Sequence, residues 1–485
     1  MLANVYAIKG GIMLGVEAAL LLTLLMLIAA LWSGYPVGLS LGGTGVLSLS
    51  LVALLSQVGL FDPGLVVSLD VATQRSLGVV ATRLANGLFG GGIATIFLAI
   101  PLFVLMGLIL QLSGVAARLF DAGERVLGWM LPNLAGRSVL VLMLVAVMLA
   151  ATSGVVGASV SALAVIAYPS LRRQGASPSL ASGLVIAAGS LGQIIPPSIV
   201  LVLLAVAINE FYAPLHPGDV VDVFDMFWAA VLPGVALALL YAVWGILRWP
   251  KDNKRGDEFS HASALTAPSG RDVTVLLSPI LLIASVLGTV LAGWATLSEA
   301  AVFGVLGAIA LAFIIGERRL LDLWHACVQA AAMWSNIALV LVGALVFTLS
   351  LKGYGGDLYL QDLARHIDQP FLLLALVLAL FFVLGFFLEF VELTALLIPV
   401  FGPVLFSSQI DPVWVGVLIG LAVQTSFLTP PMGLSLFYFQ AALKTQAAGV
   451  GASALAIYRG VFPFVCLQLI VLITTFALLW GLSAG

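Results

Sequence analysis

Charge is what this chain has least of. Only 8% of its 485 residues are Asp, Glu, Lys or Arg, while 62% are hydrophobic; a soluble domain carries about a quarter charged. That shortage excludes a soluble enzyme. A net charge of −3 also excludes the broad basic face that nucleic acid would need. Cysteine is almost missing: Cys327 and Cys466 stand in separate apolar stretches, which leaves no disulfide framework, zinc site or redox pair. His216, His261, His325 and His366 are scattered and form no HExxH, so a zinc-hydrolase centre and other transition-metal sites are not expected. The glycine runs at 42–45 and 90–92 lack the lysine and strand–helix setting of a phosphate loop and read as turns or helix contacts. No catalytic dyad and no TVGYG-like filter occurs either, which argues against an intramembrane enzyme or a channel. No organic cofactor is expected.

What remains is apolar length. With a mean hydropathy of +1.20 and roughly ten to fourteen stretches near the 20 residues that cross a bilayer, the chain reads as an all-α polytopic membrane protein. Its first apolar run, 12–31, follows Lys9, carries Glu17 and has no small-residue cleavage pattern, so it reads as a retained helix rather than a signal peptide. The stretch 96–116 reads as a span kinked at Pro101, and 117–138 alternates charge and bulk as a helix along the interface does.

Two proline pairs break what would otherwise be spans: Pro196-Pro197 and Pro430-Pro431. Each follows a stretch that is itself interrupted. Between 139 and 168 the run TSGVVGASVSA divides two arms too short to cross the bilayer, which predicts a re-entrant hairpin; a second hairpin is expected near 371–406. Setting Gly192 on Ser426, Ile195 on Thr429 and Pro197 on Pro431 takes a shift of 234 residues, and the tips at Ser153 and Gly385 lie 43 and 45 residues before the first proline of each pair. Order and spacing are both kept. This predicts two repeats: 1–247, with its broken helix near 180–208, and 273–485, with its broken helix near 413–440. The segment 248–272 is then a cytoplasmic linker, because Arg248, Lys251, Lys254, Arg255 and Arg271 contrast with a loop at 209–226 that has no Lys or Arg. The same contrast favours an inverted relation between the repeats, as in secondary transporters.

The chemistry of the breaks follows from proline. It has no N–H and disrupts the helical ladder, so a pair leaves carbonyls unpaired at membrane depth. A partly dehydrated cation is one natural partner, and half-helix N-termini at the same depth suit a carboxylate. The alternative is a kink satisfied by nearby Ser and Thr. Glu389 and Glu392 are costly within a membrane and so point to function, unless they sit at a hairpin end near water. Glu299 reads as a helix cap with Thr296 or Ser298.

At these motifs the chain resembles the large permease subunit of the tripartite ATP-independent periplasmic (TRAP) transporters. The likeness runs through GYPVGLSLGGTGVL at 34–47, AIPLFVLMGLILQLSGVA at 99–116, TSGVVGASVSA at 152–162, LGQIIPPSI at 191–199, LSEAAVFGVLGA at 297–308, GFFLEFVELTALLIPVFGPVL at 385–405 and DPVWVGVLIGLAVQTSFLTPPMGLSLF at 411–437. It departs from the usual pattern at Val155 and Val156 in the first tip and in its length at 209–226 and 248–272.

The resemblance implies a scaffold and an elevator-type transport domain that contains both hairpins and both broken helices. It implies one sodium site around Ser153, Gly192, Ile195 and Pro197 and a second around Gly385, Ser426, Thr429 and Met432. A substrate carboxylate would meet Ser153, Ser159, Ser198 and Thr429. It further implies a bacterial inner-membrane location, sodium-coupled import of an organic acid anion (dicarboxylate, 2-oxo acid or sugar acid), and two partners: a small four-helix membrane subunit and a periplasmic substrate-binding protein. The competing expectation is a self-sufficient sodium–dicarboxylate carrier or cation antiporter.

Overall fold

The computed structural model describes residues 15–61, 92–132, 134–153, 156–250, 267–316, 320–367, 369–407, 410–444 and 452–484. Residues 62–91, residues 154–155 of the first tip, most of the linker (251–266) and residues 317–319 lie outside the described residues. Among the described residues the regular structure is helical throughout. Six helices are long and apolar enough to cross a membrane, or seven if the pair Leu98–Leu112 and Val115–Met130, bent by 60°, is one span.

Among the described residues the order of elements is the same on both sides of the linker. On the N-terminal side three outer helices come first, Val16–Trp32, Val37–Gln57 and Gly92–Leu112, and then an amphipathic arm, Val115–Met130. Next come the paired helices Arg137–Ser153 and Val156–Arg173, the interrupted pair Pro178–Ser190 and Ile199–Tyr212, and a closing span, Val223–Leu247. The C-terminal side gives Gly270–Leu291, Leu297–Ile314 and Leu320–Gly353, then the arm Gly356–Arg365. Its paired helices are Pro370–Leu384 and Phe390–Leu405, its interrupted pair Pro412–Leu428 and Leu434–Lys444, and its last span Ala454–Ala484.

Hairpin arms of 17, 18, 15 and 16 residues rise roughly 22–27 Å at 1.5 Å per residue, short of the ~30 Å hydrocarbon core. The first arm starts two residues earlier than its apolar run, because Arg137 and Ser138 are themselves buried. Ser138 donates to the Gln174 side chain and the Arg172 guanidinium to the Ala176 carbonyl, so the base of this hairpin is tied to the turn that follows it.

Burial sorts the helices into layers. Residues 180–190 and 415–428 are buried without exception, as expected of helices that are apolar on every face. They form the centre. Beside it lies a second, smaller core, in which Leu41, Val52, Val340, Phe347 and Leu351 of the outer helices pack with Val400 of Phe390–Leu405. There Val37–Gln57 and Leu320–Gly353 approach so closely that a Cβ on Gly343 would stand 2.0 Å from the Gly38 carbonyl oxygen, a small-residue contact typical of membrane helices. The first arm is fastened to the outer layer by charge: Arg125 meets Asp272 at 2.6 Å, and Asp272 also closes a capping box with Ser269.

Candidate functional site

The two breaks rearrange their hydrogen bonds differently. At the first, Pro178–Ser190 tightens into a short turn, Leu191–Gln193, and Leu191 O accepts from both Ile194 and Ile195 N–H, each at 3.1 Å. Prolines at 196 and 197 deprive the carbonyls of Gly192 and Gln193 of their helical donors. The Ser198 hydroxyl donates to Gln193 O at 2.7 Å, which leaves the Gly192 carbonyl for another partner. At the second break, prolines 430 and 431 deprive Ser426 and Phe427 in the same way. Here Thr429 N–H donates to Ser426 O at 3.0 Å, and the Phe427 carbonyl is the one left over. Each break holds a cis bond between its two prolines.

Of the residues expected in the second sodium site, three are gathered. Ser426 Oγ lies against Gly385 so tightly that a Cβ there would stand 2.1 Å away. Thr429 follows one turn later, its hydroxyl bonded to Thr425 O at 2.8 Å, while that of Ser426 bonds Val423 O at 2.7 Å. Met432 lies beyond the prolines and is 43% exposed. Of the first set, Gly192, Ile195 and Pro197 share one buried turn, and Ile194 and Ile195 pack on Gly234 of Val223–Leu247. Ser153 closes the helix Arg137–Ser153, and its side chain lies outside the described residues. Among the expected substrate hydroxyls, Ser198 is turned inward onto its own break. Ser159 is buried on the second hairpin arm, beside Val160, whose backbone abuts Gly189.

Several contacts escaped sequence reasoning. Gln424 Nε2 reaches Ser190 Oγ at 3.5 Å, both side chains being fully buried. These two residues are 234 apart, the same shift that superimposes the breaks, so a position meets its own counterpart. Tyr438, in the second half of the second break, donates to Glu389 Oε1 at 2.8 Å, while its ring lies where a Cβ on Gly157 would come within 2.9 Å. One side chain thus touches both hairpins. Gln111, from the outer layer, donates to Ala158 O of the first hairpin at 2.8 Å. The available signal was an uncharged polar residue in an apolar run: Gln111 in LILQLS, Gln193 in LGQII, Gln424 in AVQTS.

The acidic candidates serve helix ends. Glu389 is the N-cap of Phe390–Leu405 and shares a capping box with Glu392, whose Oε2 accepts the Glu389 N–H at 2.7 Å. Glu299 does the same with Thr296 at the start of Leu297–Ile314.

The donors at the breaks are neutral oxygens. Gln193 Oε1, Gln424 Oε1, Thr394 Oγ1 and Ser435 Oγ are buried acceptors without a hydrogen-bond partner among the described residues, and all four belong to the interrupted helices or to the second hairpin. Uncharged carbonyl, amide and hydroxyl oxygens suit a small hard cation, whereas transition metals prefer imidazole and thiolate. No group of three or more His, Cys, Asp or Glu that could hold a metal occurs among the described residues.

Comparison with known proteins gives consistent results. The family model "Tripartite ATP-independent periplasmic transporter, DctM component" matches residues 24–480. The chain is 29% identical over 386 residues to the C4-dicarboxylate TRAP transporter large permease protein DctM of Pseudomonas aeruginosa, covering 78% of this chain and 82% of that one. It is 27% identical over 413 residues to the sialic acid TRAP transporter large permease protein SiaM of Vibrio cholerae, with 81% and 88% covered. With the 2,3-diketo-L-gulonate TRAP transporter large permease protein YiaN of Escherichia coli it shares 26% over 392 residues, with 79% and 84% covered. Among solved structures, the YdaH transporter of Alcanivorax borkumensis aligns with a TM-score of 0.60 at 16% identity, over 84% of this chain and 89% of that one. MtrF of Neisseria gonorrhoeae aligns at 0.54 and 14%, over 82% and 83%. At such identities these two likenesses speak to the fold alone.

Proposed function

The chain belongs to the DctM component family of tripartite ATP-independent periplasmic transporters, and from that premise we propose that it imports organic acid anions by sodium-coupled secondary transport. It is the large permease subunit, a multi-pass protein of the bacterial inner membrane. Its relatives carry C4-dicarboxylates, sialic acid and 2,3-diketo-L-gulonate by name, and an anion of this class is the cargo proposed here. A periplasmic binding protein delivers the anion, and a small membrane subunit completes the complex. The chemistry is movement rather than covalent turnover.

One observation carries this reading: both proline breaks meet the hairpins at buried, uncharged oxygens. Sodium would be held at the first break by the Gly192 carbonyl and its neighbours Ile195 and Pro197, and at the second by Gly385, Ser426 and Thr429. Neutral ligands leave the cation's charge unbalanced, so a bound carboxylate is attracted to the same region; that is a physical basis for coupling ion to anion. Ser153, Ser159, Ser198 and Thr429 are the hydroxyls proposed to receive that carboxylate; those of Ser198 and Thr429 also donate to Gln193 O and Thr425 O. Movement is proposed to follow an elevator, with the hairpins and broken helices travelling as one body against the outer helices and the two halves related by inversion.

The test is uptake into proteoliposomes containing this chain, the small subunit and the binding protein. Labelled dicarboxylate, 2-oxo acid or sialic acid should accumulate only under an inward sodium gradient. Accumulation that persists after the gradient is collapsed would overturn the coupling. Transport by this chain alone would favour a self-sufficient carrier.

A further inference from the structure

Each half has an arm that leaves its last outer span at a left-handed glycine, Gly114 with φ 76° and Gly355 with φ 78°, and runs to the hairpin. The two arms meet their hairpins differently. In the first half Val115–Met130 lies directly on Arg137–Ser153. Leu119, Phe120 and Ala122 are buried there, and a Cβ on Gly123 would come 2.8 Å from Val141 Cγ1. Protein fills the joint.

In the second half the arm is only ten residues long, Gly356–Arg365, and a cavity of about 220 Å³ remains between it and Pro370–Leu384. Its walls include Leu360, Leu363, Ile367, Leu373, Leu376 and Phe401. They offer water almost no polar partner, and water needs two to four. An empty space would forfeit the dispersion contacts that its first-half counterpart has. Leu363 is 57% and Leu376 50% exposed, so the cavity opens onto an exposed apolar surface.

An occupant must therefore be apolar, flexible and able to enter from lipid. At the end of the same arm Arg365 is exposed, one turn after the exposed Asp362, and its guanidinium is a group that can meet a phosphate. We propose that one phospholipid binds here, with an acyl chain between arm and hairpin and its headgroup at Arg365, doing in the second half what Leu119 and Phe120 do in the first. The site does not depend on the transport reading, because binding is measured without transport. If that reading also holds, the lipid sits at the joint between the stationary and travelling parts and eases their sliding.

The experiment is native mass spectrometry of the purified chain, delipidated and then titrated with phosphatidylglycerol or phosphatidylethanolamine. The wild type should retain one phospholipid per chain. Ala364→Phe, which fills the cavity, should weaken that binding about tenfold or more, the range expected when an acyl chain loses its pocket. Leu281→Phe, on an exposed lipid-facing site away from the cavity, should leave it unchanged. Arg365→Gln should weaken the anionic lipid by a factor of about five, as for one basic residue near a membrane surface. Added phospholipid should raise the melting temperature of the wild type but not of Ala364→Phe, and the melt itself reports that the variant is folded. Ala364→Leu serves if the larger residue disrupts folding. Equal lipid retention in wild type and a folded filled variant overturns the proposal. So does photocross-linking from a reactive residue at Leu363 to a second polypeptide, either another copy or a membrane partner, in place of lipid.

Discussion

The two breaks share a plan and differ in their surroundings. At the first, every residue from 191 to 200 is buried, and the polar work is done by Ser198 turned back onto Gln193 O. At the second, Thr429 and Pro430 are half-buried, Pro431 and Met432 are exposed, and Ser426 is wedged against the tip of the other hairpin at Gly385. One break is sealed in protein, and the other reaches an opening. A buried hydroxyl that completes a turn serves stability. One that stands at an opening, beside a tip, is positioned to exchange partners with an ion or a carboxylate.

The most severe way to break the comparison is at the tip. Gly385→Ala puts a methyl group 2.1 Å from Ser426 Oγ and 2.9 Å from Phe381 O. Overpacking of this kind costs about 1–3 kcal/mol, and sodium-driven uptake should fall about tenfold or more, since each 1.4 kcal/mol is tenfold. Uptake within a factor of about two of wild type would show that the tip has slack.

Next come the two hydroxyls. Ser198→Ala strands a buried carbonyl and should cost about 1–3 kcal/mol of stability, read as a lower melting temperature with little change in sodium half-saturation. Thr429→Val should do the reverse, raising half-saturation several-fold while the melt barely moves. If both variants shift the same quantity, the distinction between a sealed and an open break fails.

Exchanging the residues before the prolines, Ile195→Thr and Thr429→Ile, gives a smaller and sharper test. One neutral hydrogen bond or ligand is worth about 0.5–1.5 kcal/mol, so sodium affinity should drop in Thr429→Ile and change little in the buried Ile195→Thr. Sodium titration of uptake separates them. The smallest effect is expected far from both breaks, where Arg125→Ala removes a pair whose arginine is 44% exposed. Such pairs contribute about 0.2–1 kcal/mol, and the melt should fall accordingly with ion affinity unaltered.

The hairpins and breaks were legible in the sequence because their signals are local. Proline pairs stop helices wherever they occur, and an arm too short to cross a bilayer shows itself by length. Glu299 was legible as a cap for the same reason, its Thr296 partner being three residues away. Glu389 and Glu392 have that spacing too, yet their cost within a membrane pointed first to function, and only the observed helix start at Phe390 shows the capping box. What could not be read is what depends on helices distant in the chain. Tyr438 reaches both hairpins, and Gln111 bonds Ala158 O. No periodicity encodes these contacts, because each is set by how separate helices cross.

The contact between Ser190 and Gln424 carries a consequence of another kind. A position and its counterpart in a doubled unit can touch only close to the axis that relates the copies. If the unit once existed as a half-length chain that paired with itself, a single residue type at this point had to be compatible with its own image. In a single chain the two places are free to differ, and here a small serine hydroxyl receives a glutamine amide N–H across the contact.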